Sequence, residues 1–271
     1  RSLSVSNTAR TFKSSVGALN VAAGRVLTIN DGTTELGSGT LGGSGGTVDL
    51  AGTHTLNLLS DVTQTVSGVG LGLSGAVTVN GPGTLINQGT LSVSGDTFNA
   101  VLNNQVTGTV NVSGANSSFG TLSNSGAFTV SGAGGTNNST IGTLSANSGT
   151  LNVFAANGGN ATLTVANGFT NAGTIELRGL SDENVSGAAA NATLAVTSGS
   201  LVNATTGTVR AAVAGGSNNT HNFLDAAVDN RGSFDVQRSL SVSNTARTFK
   251  SASGVLDVAA GRVLTINDGT T

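Results

Sequence analysis

The sequence predicts an all-β chain, a parallel β-helix (β-solenoid) with coils of about 18–25 residues and tandem units that form a rod. Three observations predict it. A long segment recurs almost unchanged at the two ends, a short degenerate motif recurs between them, and apolar residues alternate with period two while no stretch keeps a helical period.

The long repeat comes first. Residues 1–34 and 238–271 differ only at Ser15/Ala252, Val16/Ser253, Ala18/Val255 and Asn20/Asp257, at an offset of 237 residues. Two near-identical segments at that offset imply tandem copies. Residues 1–237 then form one full unit, and 238–271 begin the next. The chain opens at Arg1 and contains no Met, so we expect a piece of something longer, with any signal peptide or anchor outside it.

Inside the unit the short motif is Gly-Thr-Φ-x-Φ, often with Asn two residues before the Gly. It reads NQGTLSV from Asn87, NSGAFTV from Asn124, NSGTLNV from Asn147, NAGTIEL from Asn171 and NRGSFDV from Asn230. Variants without that Asn are anchored at Gly17, Gly46, Gly75, Gly108, Gly207 and Gly254. From Gly89 onward the anchor glycines step by 19, 18, 23, 24, 34, 25 and 22 residues. Each core alternates polar and apolar residues, the signature of a strand with one buried face. Leu91, Phe128, Leu151, Ile175 and Phe234 are thus predicted to form an inward ladder. Asn-Gly, Ser-Gly and Gly-Gly dipeptides between the cores predict turns, with glycine supplying positive φ.

Strands at this spacing fit either tandem β-sandwiches or a solenoid. A sandwich needs about seven strands per domain, commonly around a buried Trp or Tyr, and the chain has neither residue. A solenoid coil shares a thin core with its neighbours, stacked about 4.8 Å apart, which suits Val, Leu, Ile and a few Phe. Stacking also gives the asparagines a role. Identical amides one strand spacing apart can hydrogen-bond along the axis, so Asn87, Asn124, Asn147, Asn171 and Asn230 are predicted to form a ladder. About 10–12 coils per unit would make it about 50–60 Å long.

Composition narrows the function. With no Cys there is neither a disulfide framework nor a thiolate metal site. A net charge of -2 with 9% charged residues offers no footprint for nucleic acid. The apolar runs are too short for a membrane span. Asn, Ser, Thr and Gly supply an uncharged hydrogen-bonding surface.

Stretches such as GPGTLINQGTLSVSG (Gly81 to Gly95) and GTLSNSGAFTVSGAGG (Gly120 to Gly135) resemble the large repetitive β-helical exoproteins of bacteria. These are the filamentous-haemagglutinin-like adhesins and passengers with autotransporter-type β-strand repeats. The resemblance covers nearly the whole chain. It implies a right-handed parallel β-helix, secretion to the cell surface or beyond, and roles in adhesion, surface coating or biofilm structure. A long unit repeated almost verbatim departs from most members, whose coils diverge, and favours a uniform fibre.

Chemistry has little to build on. Carbohydrate-active β-helix enzymes need clustered carboxylates, yet residues 97–175 contain no Asp, Glu, Lys or Arg. No catalytic residue, cofactor or metal is therefore expected. His54 and His221 stand alone and are read as exposed polar residues. Asp182 and Glu183 are read as part of a solvated loop. GGSGGTVDL (Gly42 to Leu50) resembles a calcium-binding nonapeptide, but Thr47 stands at its Asp position. Asn30-Asp31-Gly32, repeated at Asn267-Asp268-Gly269, is read as a tight turn. The outward threonines Thr90, Thr109, Thr150, Thr174 and Thr208 raise an ice-binding face, but the neighbouring column holds Ser, Asn, Glu and Arg. Three positions past their anchors stand Glu176, Arg210, Asp235 and Asp257, and Arg210 is predicted to sit between Glu176 and Asp235 on successive coils.

The expected function is mechanical: an extracellular or cell-surface fibre whose partners are copies of itself. An adhesin that binds carbohydrate or host surfaces, through excursions at 180–192 or 214–222, is the alternative, and a carbohydrate-active enzyme the remote one.

Overall fold

A computed structural model describes residues 1–6, 8–66, 69–155, 159–179, 190–212, 222–243 and 247–267. These form a β-solenoid of about 10 turns with no helix, its strands joined in one parallel sheet.

Each coil presents three faces, followed in chain order. The first face stacks Leu3, Leu27, Val48, Leu71, Leu91 and Val110, then Phe128, Leu151, Ile175, Val209, Phe234 and Leu256. The second stacks Phe12, Thr34, Leu56, Val79, Phe98, Phe119, Ile141, Val165 and Val196. The inward column two residues earlier on the same face runs from Leu163 and Leu194 through Leu224 and Val242 to Ile266. The third runs from Leu19 and Leu41 through Gln64 and then a line of asparagines.

Period-two alternation explains why these segments are strands. In Thr150–Ala155 the residues Leu151 and Val153 are fully buried while Thr150 and Asn152 face outward. The same holds in Thr97–Asn104, which covers the second and third faces of one coil with a bend between them. Burial of these columns removes apolar surface from water at about 25 cal/mol per Å². Wider aromatic groups fit by stacking: the rings of Phe98 and Phe119 lie 4.9 Å apart, and Phe119 meets Phe128 edge-on at 5.2 Å.

The stack passes through residue 238 without interruption, since Arg238 donates its backbone N–H to Ala211 and Leu240 pairs with Asn222. The two near-identical segments do not, however, occupy equivalent faces. Leu3 lies on the first face and its counterpart Leu240 on the second. Phe12 lies on the second and Phe249 on the third. Leu19 lies on the third and Leu256 on the first. Both copies close a full coil in the same way, Leu3 pairing with Leu27 and Leu240 with Leu264.

The anchor glycines accordingly precede more than one kind of strand. Gly17 opens a third-face strand and Gly75 a bend into the second, whereas Gly89, Gly149 and Gly254 open first-face strands. Three faces with the same inward alternation accept the same motif.

Candidate functional site

The third face carries the most ordered polar feature of the chain, a buried amide ladder. Asn87 donates from Nδ2 to Oδ1 of Asn104 at 2.7 Å, Asn104 to Asn124 at 2.7 Å, and Asn124 to Asn147 at 2.7 Å. Asn147 donates to Asn171 at 2.7 Å, Asn171 to Asn203 at 2.8 Å, and Asn203 to Asn230 at 2.8 Å. The second amide hydrogen is used as well: Asn124 reaches the Thr150 carbonyl and Asn203 the Ser233 carbonyl. Each amide from Asn104 to Asn203 is therefore paired above and below, which a group so far from water requires. Asn230 ends the series by donating to Ser251 Oγ at 3.0 Å.

Five of these asparagines, Asn87, Asn124, Asn147, Asn171 and Asn230, stand two residues before a glycine. Asn104 and Asn203 do not, and sequence reading missed them. They precede Gly108 and Gly207 by four residues, because their turns, Gln105-Val106-Thr107 and Ala204-Thr205-Thr206, are two residues longer. A search for Asn followed by one to three residues and Gly would have found both.

Packing, not dihedral freedom, selects the glycines after the ladder. The anchors Gly126, Gly149 and Gly173 have no positive φ. A Cβ on Gly149 would run into the Gly126 carbonyl of the coil before it, and one on Gly173 into the Gly149 carbonyl. Positive φ is confined to other bends, among them Gly75 and the Asp31-Gly32 corner, where φ is 57° and 75°. There Asp31 Oδ1 accepts the Thr53 N–H at 3.0 Å.

The first face carries the charges. Register places Glu176, Arg210, Asp235 and Asp257 on successive coils. Arg210 Nε lies 2.9 Å from Asp235 Oδ2, and Gln237 donates to the same oxygen. Glu176 instead forms its ion pair with Arg178 on its own strand, at 3.7 Å, and the Arg178 guanidinium lies over the Phe154 ring. Asp257 thus follows Asp235 with no cation between them in the column.

Two buried titratable groups were not anticipated. His54 was expected to be exposed, yet it is 2% accessible. It alternates inward with Leu56 and Leu58, and its Nε2 lies 3.0 Å from Thr34 Oγ1. Burial pushes its imidazole below the ordinary value, more than Asp31 raises it. Asp96, at the corner between the first and second faces, accepts the N–H groups of Val77 and Ser94. Burial raises its carboxyl above the ordinary value despite those two bonds.

Among the described residues no three of His, Cys, Asp and Glu are grouped as a metal site. The stretch resembling a calcium nonapeptide instead contributes to coil stacking, with Thr47 and Val48 paired to Gly70 and Leu71. Thr90, Thr109, Thr150, Thr174 and Thr208 do stand in one column, interrupted by Ala127. An open groove of about 430 Å³ lies beside the third-face turns and is lined by Val66, Gln88, Asn103, Gln105, Val106, Thr107 and Ser125. His221, Asp182, Glu183, Asp268 and most of both expected excursions lie outside the described residues. Among the described residues no helix is long and apolar enough to cross a membrane.

No protein-family model, curated protein or solved structure matches the chain.

Proposed function

We propose that the chain is a structural segment of an extracellular or cell-surface fibre of the repetitive bacterial exoprotein type, giving extension, coating or matrix scaffolding. One observation carries this reading: the coil stack continues through the point where the sequence starts to repeat. A second unit needs only the backbone pairing already in use. Leu3 and Val16 at one edge, and Val255, Leu256 and Val263 at the other, are exposed apolar residues of the kind a further coil covers.

In such a fibre, stability is the sum of intrinsic coil terms and coil-to-coil interfaces, so length is gained without a larger core. Axial hydrogen bonds and the amide ladder resist extension. A cysteine-free chain suits export in an unfolded state and needs no later oxidation. Cryo-electron microscopy of native material tests this. A fibre predicts a layer line near 4.8 Å and an axial repeat near 50 Å; isolated globular particles overturn it.

A second reading, an adhesin that binds glycan, is favoured by the groove beside Val66 and Val106. Two exposed valines flanked by the amides of Gln88, Asn103 and Gln105 offer an apolar platform with polar edges. Glycan-array binding that is lost on Val106→Asp would support it.

A further inference from the structure

We propose that successive copies of this unit join with an advance of one face, so that a fibre displays each face in all three directions and repeats in line only at every third unit. The inference rests on the reading of the chain as a unit of a continuous solenoid, and it deepens that reading.

The argument is one of phase. The first copy begins on the first face with Leu3, and the second begins on the second face with Leu240. Following the first-face column from Leu3, the unit contains ten whole coils and one further face. Every later part of the sequence in a second unit must inherit that displacement, because one coil length, Leu3 to Leu27 and Leu240 to Leu264, is common to both copies.

Charge at the junction fits the displaced register. Coil ten presents Asp225 on its second face and Asp229 on its third. Arg247 of the second copy lies 3.1 Å from Asp225, and Lys250 pairs in register with Asp229. In the first copy, Lys13 pairs with Glu35 of the following coil at 2.9 Å. Lys250 would therefore stand between Asp229 and the next unit's counterpart of Glu35, an alternating column across the joint.

The consequence is a fibre without a preferred side. A unit with a whole number of coils would put the amide-ladder face, or the column of Arg210 and Asp235, along one edge of the rod. The displacement turns each of these by about a third of a turn per unit. Lateral contacts then form in every direction around the rod, which suits bundles or a mesh better than flat sheets. The axial step is about 50 Å and the in-line repeat about 150 Å.

Two measurements test this, using the absence of native cysteine. In the 271-residue chain, Phe223→Cys with Ser241→Cys joins register partners on neighbouring strands, within disulfide reach, and should close on mild oxidation. Arg210→Cys with Ser241→Cys would close only if the second copy began on the first face, stacked directly on Thr208–Ala211, and should stay reduced. The reverse result, or closure of neither pair, overturns the proposal.

The second measurement is on a chain of four consecutive units carrying Ser92→Cys, an exposed site, labelled with maleimide gold and imaged by cryo-electron microscopy. Labels should advance about 50 Å and about a third of a turn per unit, with the fourth in line with the first. Labels along one side, or particles that are not rods, overturn it. The two readings fail separately. Native filaments with labels along one side sink the displacement alone; stepping labels on rods, with no native filaments, sink the fibre alone.

Discussion

Asn171 Nδ2 donates to Asn203 Oδ1 at 2.8 Å although 32 residues separate them in the chain. The pair Asn87 and Asn104 meets at 2.7 Å across only 17 residues. The ladder thus keeps a constant axial step while coil length nearly doubles. Loops are tolerated because the closure cost grows slowly with length, whereas a missed amide pairing would strand a buried donor.

The ladder should therefore respond to position. Asn147→Ala removes both a donor and an acceptor from the middle of the series, leaving Asn124 and Asn171 each short of a partner. At about 1–3 kcal/mol per stranded group, the loss should be on the order of 2–6 kcal/mol. Asn87→Ala, where the ladder starts, takes a fully buried partner from Asn104 alone; the Gly89 N–H and Thr109 carbonyl that it also serves are only partly buried, so it should cost less. Urea denaturation of both variants checks this, and equal losses would show that the amides act independently of the ladder.

Gly149→Ala should cost about 1–3 kcal/mol, the range for overpacking, because its Cβ would meet the backbone carbonyl of Gly126. Gly135→Ala is the control: open space surrounds it and its φ is not positive, so stability should stay within about 0.5 kcal/mol. If both variants unfold alike, close packing between coils does not select glycine after the ladder.

These results bear on what the sequence makes legible. Alternation in Leu151 and Val153 predicts a strand and its inward face because a shared thin core leaves no other way to bury them. The ladder is legible wherever its turn is short, and hidden at Asn104 and Asn203, where two added residues move the glycine away. The inward position of His54 follows from its spacing to Leu56 and Leu58, a signal that its polarity obscured. The face on which a copy lands is not legible. Leu19 and Leu256 sit in nearly the same local sequence, and only the cumulative length of all intervening coils decides where each falls.

Arg210→Glu places four carboxylates on successive coils, Glu176, the new Glu, Asp235 and Asp257. The lost pair itself contributes about 0–1 kcal/mol, since Arg210 is partly solvated. Repulsion along the column adds to that loss and is screened by salt. The thermal midpoint should fall in dilute buffer and recover largely at about 0.5 M NaCl. A fall that salt does not relieve would point to lost packing instead of charge.

Acid should act on the two buried titratable groups in opposite senses. His54 has a folded value below its ordinary 6.5, so the unfolded chain takes up the proton more readily. Its contribution is present above pH 6.5 and is lost as the pH falls from there through the folded value. Asp96 has a folded value above its ordinary 3.8, so its contribution is complete below 3.8 and is lost as the pH rises through the folded value. Stability should therefore decline from neutral pH through the histidine window, with Asp96 offsetting part of the decline lower down. The double variant Thr34→Val/His54→Leu removes both partners of the buried contact, and should be close to neutral at pH 7.5 while flattening the decline below 6.5. Asp96→Asn should lose the offset at low pH. At neutral pH it should also cost about 1–3 kcal/mol, because an amide cannot accept from both Val77 and Ser94. Urea midpoints measured across the acid range separate the two groups, and an unchanged slope in the histidine variant would place the acid sensitivity elsewhere in the chain.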